Sequence, residues 1–476
     1  MKRLLPLALL LLASGCTFAP DIGDVHPSQP PTPAAAGSAD AIVPATGQPQ
    51  QFALGVAAPS DWWHEFASAD LDALVVAALT ANEDIRVADA ALRQARASAA
   101  AAGAARLPQV DASFQAQRAQ TSASLAPPVT DANQLLYSLS TAQLTVTYPI
   151  DLFGAVRSHV ASAHAAAEVQ RCRLLAARQT VVANLVNAVI QRASLADQIA
   201  AARHAIAVNR DILELLQRRQ AIGAVGAADV ATQQTALAAA EGTLPPLVRA
   251  EAHQRAVIAV LLGRAPGIPL PRLPGLSDLT LPATLPLALP ADLVRRRPDI
   301  LAAGAQLRGA AADVGTAIAA RLPQLQLTAN LGGTAQNFAQ MFAQGNPFWA
   351  VIGGVTQPIF HAGALRHQQH AAEAALDGAK AQYRAAALQA FVDVSDALTG
   401  LHSDADALDA ATRAETAADR ALGFVRRQLA LGDVGTLTLL NATAADAQAH
   451  AQAVQARAAR LTDSVALFQA VGGGIE

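Results

Sequence analysis

The sequence contains few charged, sulfur-containing and aromatic residues. Charged residues make up 15% of the 476, well below the roughly 25% of ordinary soluble domains. The net charge of −3 gives no reason to expect nucleic acid or an anionic membrane surface as a partner. The sequence also lacks a nucleophile elbow, a P-loop, a dinucleotide fingerprint and a zinc motif. An enzyme is therefore the least supported class, and no cofactor is expected.

What the sequence has in abundance is alanine. The hydrophobic fraction of 52% is mostly alanine, and aromatic residues account for only 4% of the chain. Alanine is the best helix former and adds almost no bulk. This composition therefore predicts long helices whose axes approach one another closely.

The first 15 residues are interpreted as a signal peptide for export. Lys2 and Arg3 precede a short apolar run at 4–13, which falls well below the roughly twenty residues that a membrane-spanning helix requires. The run ends in the letters ASGC, which resemble a bacterial lipobox and make Cys16 the predicted lipidation site. Thr17 favours the outer membrane by analogy with known lipoproteins. An ordinary signal peptide with a chance cysteine is the alternative.

The segment 16–60 is predicted to be an extended tether. Residues 17–60 include eight prolines and show little periodicity. The other cysteine, Cys172, lies in a predicted helix. No intramolecular disulfide is therefore expected once Cys16 carries lipid.

The second half of the chain repeats the first. The letters ARLPQV at 105–110 return as ARLPQL at 320–325. The offset is 215 residues between Arg106 and Arg321 and 209 for every later pair, so one six-residue insertion or deletion explains the register. Two such long units do not make a solenoid. The predicted segments are a first repeat at 61–262, a proline-rich connector at 263–290, a second repeat at 291–471 and a C-terminal tail at 472–476.

Short segments in each repeat alternate polar and apolar residues, as strands with two unlike faces do. They are 109–117 and 324–331, and with returning strands they predict β-hairpins at about 109–148 and 324–358. In an outer-membrane barrel the apolar face meets lipid and the polar face lines a wet lumen. A soluble sandwich is the alternative for any one strand. Four strands cannot close a barrel, and an open edge cannot exist in hydrocarbon, so several chains would have to share one barrel.

Two segments, 156–221 and 365–430, run without proline and are predicted to be helices roughly 100 Å long. Their apolar residues recur at helical spacing, which favours coiled-coil-like packing into a tube. Each segment ends in a turn with two glycines, at 222–226 and 431–435, because glycine permits the left-handed conformation that ends a helix. A second helix follows each turn.

The letters LPADLVRRRPDI at 289–300, with Trp62-Trp63 and the letters DLFG at 151–154, carry a more specific resemblance. The chain resembles the TolC-family outer-membrane efflux proteins, in particular their NodT or OprM-like lipoprotein branch. The resemblance implies a mainly α fold with a small transmembrane β part. It also implies a homotrimer, in which four strands per chain form a twelve-stranded β-barrel continuous with a long periplasmic α-helical barrel.

This resemblance implies a passive exit duct in the outer membrane, lipid-anchored and extending into the periplasm. A periplasmic adaptor and an inner-membrane RND pump would hand small molecules to it. The turns would dock the adaptor, although plain helix termination also explains their glycines; the residues concerned are Arg218, Gly223, Gly226, Arg427, Gly432 and Gly435.

The resemblance places a periplasmic gate at Leu437, Asn441 and Ala444, where three chains would form three stacked rings. Relatives commonly carry aspartate at the position of Asn441 and often another charged residue at that of Ala444. A ring of amides repels itself much less than a ring of carboxylates and favours cations less. The expected closure is therefore apolar or hydrogen-bonded, with Leu437 as the constriction.

Two other functions remain open from the sequence: a TolC-like exit channel for type I protein or oligosaccharide secretion, and a periplasmic helical lipoprotein scaffold without a pore. With two methionines in the chain, a methionine-lined copper or silver path is not expected. His361, His367 and His370 have metal-like spacing but are interpreted as solvated surface, so no metal site is predicted. Asp393 and Asp396 are interpreted as a solvated or lumen-facing pair rather than an acid/base dyad.

Overall fold

The computed structural model describes residues 20, 22–23, 25, 49–120, 136–287 and 294–473. The predicted signal peptide, Cys16 and most of the tether lie outside these residues. Contacts divide the chain into two compact units. The strand unit comprises Met1–Val25, Leu92–Gln170 and Ala303–Tyr383, and the helical unit comprises His26–Ala91, Arg171–Ala302 and Arg384–Glu476.

The strand unit contains an antiparallel sheet of four strands in the order β2-β3-β5-β6. The bounds are β2 Gln109–Gln120, β3 Leu136–Ile150, β5 Gln324–Ala335 and β6 Pro347–Thr356. The alternating segments of the sequence lie in β2 and β5. Within the described residues, β2 and β6 each have a neighbouring strand on one side only. Each therefore presents an edge with unpaired backbone groups.

The register places apolar side chains from neighbouring strands side by side on one face of the sheet. Leu144 lies opposite Leu331, and Leu331 lies opposite Trp349 on the other side. The side chains of Leu331 and Trp349 are 60% and 77% exposed. On the opposite face Thr145 donates a hydrogen bond from Oγ1 to Asn330 Oδ1 at 2.9 Å. Consecutive residues of a strand thus point to an apolar and a polar face.

The bounds of the longer α-helices are α1 Ala69–Ala81, α2 Glu83–Ala104, α3 Ala155–Ala221, α4 Ala227–Leu261, α5 Pro298–Ala319, α6 Ala364–Leu431 and α7 Thr436–Ala470. The two proline-free segments of the sequence correspond to α3 and α6, which have 67 and 68 residues. The helices α4 and α7 that follow them have 35 residues each. Among the described residues, none of the helices combines the length and the apolar composition needed to cross a membrane.

The two helical hairpins, α3–α4 and α6–α7, share an apolar core next to their turns. Its buried members come from all four helices, and they are Ile212, Leu216, Val230, Leu422 and Leu439. This packing is what the 3.6-residue periodicity of the sequence predicts for helices that bury one stripe of apolar residues.

The end of the predicted tether differs from the expectation of an extended segment. Strand β1, Gln51–Leu54, pairs in parallel with β4, Thr284–Leu287, which lies in the predicted connector. Gln50 is buried, and its Oε1 accepts hydrogen bonds from Nε and Nη2 of the buried Arg460 on α7 at 3.2 and 2.9 Å. Residues 50–54 therefore belong to the helical unit, because strand pairing and this buried polar contact fix them there.

Candidate gate and docking turns

The two turns between the long helices have similar geometries. Gly223 and Gly432 adopt φ values of +75° and +83°, a left-handed conformation that favours glycine. Gly226 and Gly435 have extended backbone and serve as N-caps of α4 and α7. The first turn has an additional support, because the backbone N–H of Gly226 donates to Asp229 Oδ2 at 3.2 Å.

The two turn arginines make contacts only within their own helices among the described residues. Arg218 pairs with Glu214 one turn earlier on α3. The guanidinium of Arg427 lies 5.0 Å from the centroid of the Phe424 ring on α6. Both side chains are exposed. Neither of these contacts involves the turn itself.

Two exposed apolar residues at the turns were missed by the sequence analysis. Ile222 and Leu431 each stand directly before the left-handed glycine and are 80% and 77% exposed. They lie 209 residues apart in the sequence, and each is followed by its glycine. The recurrence of an apolar residue before the glycine in both turns was the available signal.

The predicted gate residues share one exposed face of α7. Leu437, Asn441 and Ala444 are all exposed, with Leu437 at 63%. On the opposite face Leu439 and Thr443 are buried, and Leu439 belongs to the apolar core beside the turns. The core therefore fixes the rotation of α7, and this rotation directs the three predicted gate residues away from the hairpin.

The histidines at 361, 367 and 370 and the aspartates at 393 and 396 lie at the start and in the middle of the segment that leads into and forms α6. Within the described residues, no cluster of histidine, cysteine, aspartate or glutamate could hold a metal ion. His370 lies 3.2 Å from Glu373 on the same helix. Asp393, which the sequence grouped with Asp396 as a solvated or lumen-facing pair, is 33% exposed and accepts a 2.7 Å hydrogen bond from Arg297 Nη2. Asp396 is exposed.

Arg297 explains part of the RRRPD letters at 295–299. Its Nη2 lies 2.7 Å from carboxylate oxygens of both Asp299 and Asp393, and its Nη1 donates to the backbone carbonyl of Ala470 at 3.1 Å. One guanidinium thereby joins the first turn of α5, the middle of α6 and the end of α7. The fork of donors makes arginine suited to such a junction.

A second junction in the helical unit contains two carboxyl groups. Asp463 on α7 lies against Asp404 on α6, and a side chain at Gly400 would come within 3.0 Å of Asp463 Oδ2. Burial and the neighbouring Asp404 raise the pKa of Asp463 to about 7. The folded protein thus holds a proton on Asp463 at pH values where an unfolded chain has lost it.

Asp463→Asn is therefore expected to stabilise the protein in a pH-dependent way. Because the pKa of Asp463 is raised in the folded state, ionisation of this side chain destabilises the fold. The resulting loss in the free energy of unfolding grows from about pH 4 to pH 7 and is constant above pH 7. The melting temperature of the variant should exceed that of the parent by roughly 2–4 °C above pH 7 and by progressively less towards pH 4. Asp406→Asn, at an exposed position of α6, is the control. A difference in melting temperature between variant and parent that does not change with pH would contradict the expectation.

Comparison with known proteins defines the class. The profile of one family, described as outer membrane efflux protein, matches residues 74–264 and again residues 289–473. The chain belongs to this family. The family consists of transport channels rather than enzymes.

Individual relatives cover nearly the whole chain. The pyoverdine export outer membrane protein OpmQ of Pseudomonas putida is 31% identical over 476 residues, which are 99% of this chain and 97% of the relative. The crystal structure of the outer membrane protein VceC of Vibrio cholerae superposes with a TM-score of 0.79 at 26% identity, over 88% of this chain and 100% of that one. The Campylobacter jejuni CmeC outer membrane channel has the same fold, with a TM-score of 0.85 at 21% identity over 97% and 96% of the two chains.

Proposed function

We propose that the chain is the outer-membrane exit duct of a tripartite efflux system, receiving small molecules from a periplasmic adaptor and an RND-type inner-membrane pump. Membership of the outer membrane efflux protein family supports this function. The observation that carries it is the four-stranded sheet, in which one face is polar and the other presents exposed apolar side chains in register across the strands. An apolar face of this kind suits lipid, and a polar face suits a wet lumen.

The proposed assembly is a homotrimer in which three sheets form one twelve-stranded barrel. The unpaired edges of β2 and β6 support it, because backbone groups without partners are not tolerated in hydrocarbon. In this assembly α3, α4, α6 and α7 of three chains form the periplasmic tube, and Cys16 carries the lipid anchor. The two repeats at 61–262 and 291–471 are the two halves of each chain, joined by the connector at 263–290.

The turns are proposed to dock the adaptor. Their exposed arginines and glycines form the contact surface predicted by the sequence, and Ile222 and Leu431 add an apolar residue at each turn. Exposed apolar side chains at two equivalent helix ends suit burial against a protein partner. Leu437, Asn441 and Ala444 are proposed to line the gate in three stacked rings.

The native mass in detergent tests the assembly. Protein extracted from an outer-membrane fraction should run as a trimer that resists mild dissociation. A cell lacking the protein should become sensitive to compounds that its pump exports, and the plasmid-borne chain should restore resistance. Recovery of a monomer without detergent, after removal of the lipid anchor, would instead support a scaffold without a pore.

The proposed gate ring predicts a change in ion selectivity. Asn441→Asp would place three carboxylates around one axis and should raise the cation-to-anion permeability ratio of the reconstituted channel by on the order of threefold. Thr232→Asp is the matched control, because Thr232 occupies the equivalent position in the first repeat and is also exposed. Reversal potentials in a salt gradient measure the ratio. Equal shifts in both variants would argue against a gate on α7.

A further inference from the structure

The two helical hairpins are held together by different chemistry. In the first hairpin Gln233 on α4 donates from Nε2 to the backbone carbonyl and to Oδ1 of Asn209 on α3, at 2.9 and 3.0 Å. Arg210 Nη2 lies 2.6 Å from Glu241 Oε1, and Arg192 Nε lies 3.2 Å from Glu251 Oε1. Arginine and carboxylates are ordinarily both charged at physiological pH, and amides do not titrate there, so these cross-links between α3 and α4 keep their strength across that range.

The second hairpin carries other residues at the equivalent positions, 209 residues later. Alanines 418 and 442 replace the buried amide pair Asn209 and Gln233. Asp419 stands at the position equivalent to Arg210, and His450 at the position equivalent to Glu241. The acidic residue is therefore on α6 and the basic one, a histidine, is on α7. At these positions the second hairpin therefore carries neither the amide pair nor the arginine–glutamate pair of the first.

In the structure His450 on α7 does not pair with Asp419, the counterpart of Arg210. It contacts Glu415, which lies one helical turn before Asp419 on α6. Its Nδ1 lies 2.7 Å from Oε1 of Glu415 on α6. Histidine is the side chain that ordinarily gains and loses its charge between pH 5 and pH 8. The strength of this cross-link between α6 and α7 therefore depends on pH, unlike those between α3 and α4.

His450 lines a cavity of about 650 Å³ between α3, α6 and α7. Two further carboxylates, Asp419 and Asp446, line it, and burial, followed by the repulsion of Asp419, raises the pKa of Asp446. Titratable and charged side chains that line the cavity or act on it come from all three helices, namely Asp197 and His204 on α3, Glu415, Asp419 and Arg426 on α6, and Asp446, His450 and Arg457 on α7.

The fixed cations offset only part of this negative charge. Arg457 Nη2 is 3.7 Å from Glu415 Oε2, a longer contact than the one made by His450. Arg426 lowers the pKa of Asp446, but burial and Asp419 outweigh this effect and raise it. When His450 and His204 are neutral, three carboxylates on α6 and α7 face two arginines. Like charges on facing helices repel in such a partly enclosed site.

We propose that Glu415, Asp419, Asp446 and His450 form a proton-dependent latch that holds α6 against α7 and thereby controls the gate residues on α7. Protonation of His450 closes the latch through Glu415, and deprotonation loosens it. Asp446 lies five residues beyond Asn441, about 7.5 Å along the helix axis. The control of the gate rests on the proposed function, whereas the pH-dependent association of the two helices does not.

The latch is tested by hydrogen–deuterium exchange of the detergent-extracted protein at pH 5.5 and pH 8, after correction for the intrinsic pH dependence of exchange. Between pH 5.5 and pH 8, the protection factors of backbone amides of α6 and α7 around the cavity should fall roughly threefold more than those of α3 and α4. His450→Gln should abolish this difference by leaving the second hairpin loose at both pH values. His450→Arg should abolish it by keeping the cross-link closed. His253→Gln, at an exposed position of α4, should behave like the parent.

The same variants in planar bilayers connect the latch with the gate. Channel open probability should rise with pH in the parent, stay high in His450→Gln and stay low in His450→Arg. A pH-dependent loss of protection that persists in His450→Gln, or that is equal in both hairpins, would overturn the latch. Pores that fail to form while the exchange pattern follows the latch would overturn the proposed exit duct alone.

Discussion

Arginine in place of Leu331 is expected to remove the protein from the outer membrane. Leu331 lies in the middle of the apolar face, between Leu144 and Trp349 on the neighbouring strands. A charged residue on the lipid face costs about 2–4 kcal/mol at the bilayer midplane, and three copies in a trimer multiply this to roughly 6–12 kcal/mol. The amount of heat-resistant trimer in the outer-membrane fraction, measured on a gel, should fall below detection.

The neighbouring residue supplies a matched control. Asn330 points to the other face of the sheet, where its Oδ1 accepts a hydrogen bond from Thr145. Asn330→Arg loses that hydrogen bond but places its charge on the wet face, so the variant should assemble in near-normal amounts. If both arginines prevent assembly equally, or if Leu331→Arg is tolerated, the two faces do not separate lipid from lumen and the proposed barrel is wrong.

Local periodicity made much of the fold predictable from the sequence. Alternating residues located β2 and β5, because each strand has one polar and one apolar face. The paired glycines located both turns, since Gly223 and Gly432 adopt conformations that other residues avoid. The comparisons confirm the resemblance to TolC-family channels that the letters at 289–300 suggested.

Contacts between distant parts of the chain were not predictable in this way. The pairing of β1 with β4 joins two four-residue strands in proline-rich surroundings, where alternation is too short to recognise. Arg297 joins residues 96 and 173 positions away, and nothing local in the letters RRRPD identifies those partners. The pairing of His450 with Glu415 required the register between two helices, which the sequence of either helix alone does not contain.

The candidate site shows the same division. The family resemblance singled out Leu437, Asn441 and Ala444, and the structure exposes all three on one face of α7. Their rotation away from the hairpin depends on the burial of Leu439 among residues of three other helices. The sequence thus identified the candidate gate residues, but it could not predict the packing that orients them.

Loss of Arg297 is expected to destabilise the helical unit strongly. Its side chain is 11% exposed, and removing it leaves the carboxylate of Asp393 and the carbonyl of Ala470 without this donor. Breaking a buried ion pair costs about 3–5 kcal/mol. Because the side chain of Asp393 is 33% exposed and regains some hydration, Arg297→Ala should lower the free energy of unfolding by roughly 2–3 kcal/mol.

Two variants separate the junction from the general effect of removing an arginine. Arg296→Ala, at the exposed neighbouring position, should change the free energy of unfolding by no more than about 0.5 kcal/mol. Arg297→Lys should fall between the two, because an ammonium keeps the charge but cannot reach both aspartates and the carbonyl with one rigid fork. Urea unfolding followed by circular dichroism measures all three. Equal losses in Arg296→Ala and Arg297→Ala would mean that α5, α6 and α7 are held together by packing alone, and that the guanidinium of Arg297 adds no stability of its own.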